Sequence, residues 1–213
     1  MSEVLIILIA ITCLVSFKGF NDRVFFDKYK FNVGAIQNGQ KYRMVTSAFL
    51  HGDISHLIFN LLTLYFFAPV VIQYLGVFPF LLVYFISLIA GSLLSLKIHE
   101  KQPYYSAIGA SGAITGVLYA SILLNPDMNL YLFFIPIPIP SYVFGIGYLL
   151  YSLYGMKKQN DLIGHTAHFG GAIGGMLSIA IINYKILIVH YQMAILLLIP
   201  IIILYIMISK GKI

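Results

Sequence analysis

Three short stretches hold the side chains with which this chain could do chemistry: HGDISHLIFN at 51–60, GASG at 109–112 and GHTAHFGGAIGG at 164–175. In the first, His56 and Asn60 lie four residues apart, one helical turn, and so share a face. An imidazole N–H and a carboxamide N–H aimed the same way can stabilise negative charge developing on a carbonyl oxygen. They can equally pin neighbouring helices together. In the second, Ser111 falls near the N-terminal end of an apolar run. Unpaired N–H groups and the positive end of the helix dipole favour negative charge there. Ser111 reads as an N-cap, a packing residue or a nucleophile. In the third, Gly171 and Gly175 follow His168 by three and seven residues and lie on its face.

A serine hydroxyl is a weak nucleophile and needs a base within about 2.6–3.2 Å. Gly112 and Gly116 form a small-xxx-small face that Gly109 extends, and helices meeting through such faces approach closely. A meeting of this face with the glycine face beyond His168 would draw the imidazole to Ser111. His165 is assigned to the membrane surface or a loop contact, and His51 to anchoring its loop near the interface. All seven acidic residues, Glu3, Asp22, Asp27, Asp53, Glu100, Asp127 and Asp161, fall at segment ends or in loops. A Ser-His-Asp triad needs a buried carboxylate beside its histidine, so a Ser-His pair here must work as a dyad. The same pattern argues against a proton-coupled transporter or cation channel, which would keep a carboxylate at mid-depth. A zinc site on His51, His56, His165 and His168 lacks an H-E-x-x-H string. The reading calls for no metal and no cofactor.

The elements that must hold these residues are membrane helices. Of the 213 residues 60% are hydrophobic and only 9% charged, against about 25% charged in a soluble domain. Spanning helices need about 20 mostly apolar residues, and seven segments qualify, at roughly 4–20, 54–75, 77–97, 108–124, 135–155, 165–184 and 186–208. The formal charge of +6 is scattered, with no basic stripe, and reads as loop charge near anionic lipid headgroups rather than nucleic-acid binding. The first segment reads as a retained helix, not a cleaved signal peptide. Cys13 is the one cysteine, so no disulfide forms within the chain. The polar stretch between the first two segments, with its interleaved aromatics, is expected to lie on the headgroup surface. FIPIPIPSY at 134–142 is expected to be extended, because alternate prolines forbid a helix. Without repeats or linkers, the fold class is an all-α polytopic membrane helix bundle forming a single domain over 1–213.

H-x4-H-x3-N, G-x-S-G and A-H-x-x-G on successive segments, preceded by Tyr42-Arg43, resemble the rhomboid family of intramembrane serine proteases over roughly residues 40–180. The resemblance implies a six-helix core, about 1–184, to which this chain adds a seventh, C-terminal helix at about 186–208. It implies Ser111 as nucleophile, His168 as general base, and His56, Asn60 and the Ser111 backbone N–H as the oxyanion site. Tyr42-Arg43 falls where the family often has Trp-Arg in its first loop; this chain has no Trp. Thr115 stands where many relatives carry an aromatic packed on the catalytic imidazole. The implied activity is endopeptidase cleavage of single-span transmembrane proteins that unwind locally. The alternatives are an inactive relative that binds transmembrane helices, or a small-solute transporter. The expected location is a bacterial inner (plasma) membrane, multi-pass, with the N-terminus inside as in the family. Charge counting opposes that sidedness: twelve of the thirteen Lys and Arg would lie outside and only Lys185 inside.

Overall fold

The computed structural model describes residues 2–131, 137–158 and 163–213. Among these, seven long helices follow the expected segments: α1 (Glu3–Asn21), α5 (Ile54–Leu75), α6 (Val77–Ile98), α7 (Ser111–Leu124), α8 (Ser141–Lys158), α9 (His165–Val189) and α10 (Tyr191–Ser209). Five of them, α1, α5, α6, α9 and α10, are long and apolar enough to cross a membrane. The chain is an integral, multi-pass membrane protein built as a helix bundle.

Helix α7 is the central rod. It has only 14 residues, and every one from Gly112 to Leu124 is buried. It packs on α5, α6 and α9, and α6 in turn lies along α9. Tyr84, Tyr119, Phe80 and Phe169 fill this junction and are fully buried. The start of α7 differs from expectation. The sequence suggests a helix from 108, with Gly109 on its small face. Instead Ser106–Ala107 (β2) pairs antiparallel with Phe31–Asn32 (β1), the Gly109 N–H donates to the Ser47 carbonyl at 3.0 Å, and Gly109 has φ +108°. Extended pairing and a positive φ both forbid helix, so α7 begins at Ser111. That brings the serine to the end of an irregular segment rather than a turn inside a rod.

The polar stretch between α1 and α5 is more structured than a loop lying on headgroups. It folds into α2 (Arg23–Tyr29), α3 (Val33–Gln37) and α4 (Arg43–Thr46). Asp22 caps α2 by accepting from the Phe25 N–H at 2.9 Å, and Asn32 caps α3 by accepting from Ala35. Arg43 is buried and ties the whole stretch together. Its Nη1 donates to the carbonyls of Asp27 (2.8 Å) and Lys30 (3.0 Å), and its Nε donates to the Gln40 side chain at 2.7 Å. Arg43→Ala would leave those carbonyls without their donor. A loss of about 1–3 kcal/mol follows, read as a lower melting temperature and faster proteolytic nicking over 22–46.

Beyond α7, Asn129–Leu130 (β3) pairs with Ile139–Pro140 (β4), which is the extended backbone expected of alternate prolines. Part of that run, 134–136, and Asp161 lie outside the described residues. Helix α8 begins at Ser141, not at 135. Helix α9 runs five residues past its expected end, with a break at Asn183 (φ −155°, ψ 79°), before the chain turns at His190 into α10.

Candidate active site

The two glycine doublets of GHTAHFGGAIGG give α9 two bare faces. On one, Gly171 lies against Gly112 and Gly175 against Gly116. A Cβ added to Gly171 would overlap the Gly112 carbonyl oxygen, and one on Gly175 would come within 2.7 Å of the Gly116 Cα. On the other, a Cβ on Gly170 would come within 2.6 Å of the Gly91 Cα, and one on Gly174 within 2.7 Å of the Ser87 Cα, both on α6. The seam between α7 and α9 is the one the glycine spacing suggests. The α6 seam leaves no separate trace in the sequence, because the first glycine of each doublet reads as redundant there.

This contact carries His168 to Ser111. The Ser111 Oγ lies 2.7 Å from the His168 Nε2, within the reach a general base needs. Capping, one of the three roles open to Ser111, falls away: Ala110 occupies the N-cap position, and Ser111 is the first helical residue. The other face of the imidazole is held by α8. Ser152 Oγ is 2.8 Å from His168 Nδ1, and the Tyr148 ring lies 4.8 Å from the His168 ring, centroid to centroid, tilted by 31°. The Tyr148 hydroxyl is 3.1 Å from Nε2. Thr115 bonds back to the Ser111 carbonyl at 2.6 Å, and the aromatic cover absent at Thr115 comes from Tyr148. Sequence reasoning named neither Tyr148 nor Ser152. Helix α8 carries tyrosines at 142, 148, 151 and 154, and nothing in that scatter marks one as special.

His56 and Asn60 line the same cavity. Asp53 caps α5 by accepting from the His56 N–H at 2.8 Å, which fixes the start of the helix that carries both. The Asn60 amide donates one proton to the His56 carbonyl at 2.9 Å, and the amide holds a second. The Gly52 N–H lies 3.5 Å from the His56 Nδ1, a long contact in which that nitrogen accepts, and Nε2 is then the nitrogen left to donate. A Cβ on Gly109 would stand 2.8 Å from that Nε2 and 3.9 Å from the Ser111 Oγ. Gly109 therefore serves twice: it adopts a φ that side chains avoid, and it leaves bare the space beside the His56 ring and the Ser111 hydroxyl.

Two histidines lie deeper than their positions at segment ends suggest. His51 ties the segment before α5 to α1 and does not face the headgroups. It is fully buried, bonds to Ser16 Oγ of α1 at 2.8 Å through Nδ1, and meets the His56 ring edge-on at 4.9 Å. Burial, reinforced by neighbouring His56, holds its pKa down at about 3, so it is a neutral support. For His165, burial removes the membrane-surface half of its assignment and leaves the loop contact standing. The side chain is buried at the head of α9, against Gly155 and 5.8 Å from the Tyr151 ring. A polar residue at a segment end looks interfacial in sequence, but here α1 and α8 cover both.

The site opens into a cavity of about 700 Å³ between α5 and α8. Its walls include Phe59, Leu118 and Phe144, and its lining extends to Arg23 and Lys30 of the α1–α5 stretch. Among the described residues, no three His, Cys, Asp or Glu side chains come together to hold a metal ion. A family model described as "Rhomboid domain" matches residues 38–185. The chain belongs to the rhomboid family. It is 28% identical over 173 residues to RHOMBOID-like protein 12, mitochondrial, of Arabidopsis thaliana, covering 74% of this chain and 51% of that protein. Identity to Rhomboid protein 1, mitochondrial, of Saccharomyces cerevisiae is 33% over 140 residues, 64% of this chain and 40% of the relative. A third relative, Rhomboid-like protease 3 of Toxoplasma gondii, is 38% identical over 84 residues, 39% of this chain and 31% of the other. The matches thus span about half or less of these rhomboid relatives' own length. His56, Asn60, Ser111 and His168 all fall inside the matched domain.

Proposed function

We propose that this rhomboid is an intramembrane serine endopeptidase that works by a Ser111–His168 dyad. The carrying observation is the 2.7 Å contact between nucleophile and base at the wall of a substrate-sized cavity. In this reading, the substrate is a single-span transmembrane protein. Its helix must unwind at the scissile bond, because a helical carbonyl is shielded by its own hydrogen bond. The Ser111 Oγ attacks the carbonyl carbon while His168 Nε2 takes the hydroxyl proton. The oxyanion forms beside the His56 Nε2–H, the Asn60 amide and the Ser111 backbone N–H. His168 then passes its proton to the departing amine. Water, entering past Arg23 and Lys30, hydrolyses the acyl-enzyme with His168 again acting as base. The support for water entry is that non-helical backbone at 106–108 lines the cavity, and a membrane interior tolerates such backbone only where protein buries it or water reaches it.

We read the chain as one membrane domain, placed in a bacterial plasma membrane with its N-terminus inside. Two of the three relatives above are named as mitochondrial, so fractionation of the native host tests the location, and reporter fusions between α1 and α5 test the sidedness. The activity is tested with a fluorophosphonate probe on the detergent-solubilised protein. Phosphonylation at Ser111 that is lost in His168→Ala is the expected result. A protein that holds a single-span helix without labelling or cleaving would instead be a binding member of the family, and the proposal would fall.

A further inference from the structure

We propose that Ser152 is the positioning residue that fixes the tautomer of His168, in the place where a triad has its carboxylate; this rests on the dyad reading above. Ser152 Oγ lies 2.8 Å from His168 Nδ1 and 3.0 Å from the carbonyl oxygen of Tyr148, one turn earlier in α8. A hydroxyl has one proton and two lone pairs. With the imidazole proton on Nδ1, that N–H donates to Ser152, and Ser152 donates to the Tyr148 carbonyl, so two hydrogen bonds form. The Nε2 lone pair then faces the Ser111 hydroxyl, ready to accept its proton. With the proton on Nε2, Ser152 must turn its hydrogen to Nδ1 and gives up the carbonyl bond. Ser111 then meets an N–H that cannot take its proton. Ser152 is fully buried and His168 is 1% exposed, so no water replaces the lost bond, and the productive tautomer is favoured.

The same device appears a second time. Ser16 Oγ lies 2.8 Å from His51 Nδ1 and donates to the Phe49 carbonyl at 2.9 Å. In both places a serine stands between an imidazole N–H and a backbone carbonyl. The membrane supplies the reason at Ser152: a carboxylate there would carry its charge into a buried site beside the catalytic ring, whereas a hydroxyl relays to a carbonyl without charge. Tyr148 completes the clamp, its ring covering the imidazole from the same turn of α8 that supplies the carbonyl.

The test is the ¹⁵N spectrum of histidine-labelled protein in detergent. His168 should show a protonated, pyrrole-type Nδ1 and a pyridine-type Nε2. Ser152→Ala should mix the two tautomers and lower kcat about tenfold or more, part of the roughly 10²–10⁴ that general base catalysis supplies. KM should stay within about twofold, since the contact is not made to bound substrate. Ser152→Thr keeps the hydroxyl and should restore both the spectrum and kcat. A wild-type spectrum with Nε2 protonated overturns the proposal, as does Ser152→Ala with unchanged spectrum and kcat. The wild-type spectrum decides even if the alanine variant does not fold. Failure of the dyad reading would show separately, as wild-type protein that neither labels nor cleaves whatever its tautomer.

Discussion

Ser111→Ala is expected to bring cleavage of a single-span substrate down to the uncatalysed background while leaving the melting temperature and elution volume of the protein unchanged. The kinetic half follows from the chemistry. Without the hydroxyl there is no acyl-enzyme, and His168 can at best direct a water in its place. Serine hydrolases lose on the order of 10⁶ in kcat when the nucleophile is removed, which places the residual rate below detection. The structural half follows from the surroundings. Thr115 bonds to the Ser111 backbone carbonyl, not to its side chain, so that contact survives. The His168 Nε2 keeps a hydroxyl partner in Tyr148 at 3.1 Å, so no buried nitrogen is orphaned. The seam glycines are untouched. The measurement is purified wild type and variant, incubated side by side with a model single-span substrate. Undiminished cleavage by the variant would remove Ser111 from the mechanism. The oxyanion donors should show smaller effects, since loss of one such donor typically costs about 10²–10³ in rate. His56→Ala and Asn60→Ala measured in the same assay would rank the two.

What could be read from the sequence and what could not divide along a physical line. Helix spans were legible because a bilayer imposes length and apolarity on each segment independently of its neighbours. The α7–α9 seam was legible because glycines at helical spacing leave only one way to gain contact, which is close approach. The meeting of Ser111 and His168 follows from that seam. Other features depend on tertiary partners that leave no periodic trace. Gly109 reads as one more seam glycine, because a glycine needed for a positive φ and one needed for packing look alike in a string. The burial of His51 and His165 shows the same limit, since polarity at a segment end carries no record of the helix that will cover it. Tyr148 and Ser152 were invisible for the same reason. Their distance of four residues is ordinary, and only the approach of α8 to His168 turns it into a clamp.

The seam makes the second large prediction. Gly171→Ala is expected to lower both stability and activity, although it adds a single methyl group that favours helix. A Cβ at Gly171 would overlap the carbonyl oxygen of Gly112 and come within 2.7 Å of its carbonyl carbon. Overpacking against side chains costs about 1–3 kcal/mol because rotamers can give way. Here the obstacle is helix backbone, which cannot turn aside, so the cost should reach the top of that range. The helices relieve the overlap only by moving apart, and the displacement falls at the residue next to Ser111. A misplacement of about 1 Å can cost 10²-fold in rate, and the Ser111–His168 contact depends directly on this spacing. Gly170→Ala provides the comparison, since its Cβ strikes Ala90 and Gly91 on α6 instead. It should destabilise to a similar degree with less effect on kcat, because the α7 face of α9 is unaltered. Gly147→Ala, on α8 with nothing within 4 Å of its added Cβ, should behave as wild type or gain up to about 1 kcal/mol. Fluorophosphonate labelling rates and thermal unfolding of the three variants separate these outcomes. Wild-type labelling and melting in Gly171→Ala would mean that the helices do not meet through bare backbone, and that something other than this seam brings the imidazole to the serine.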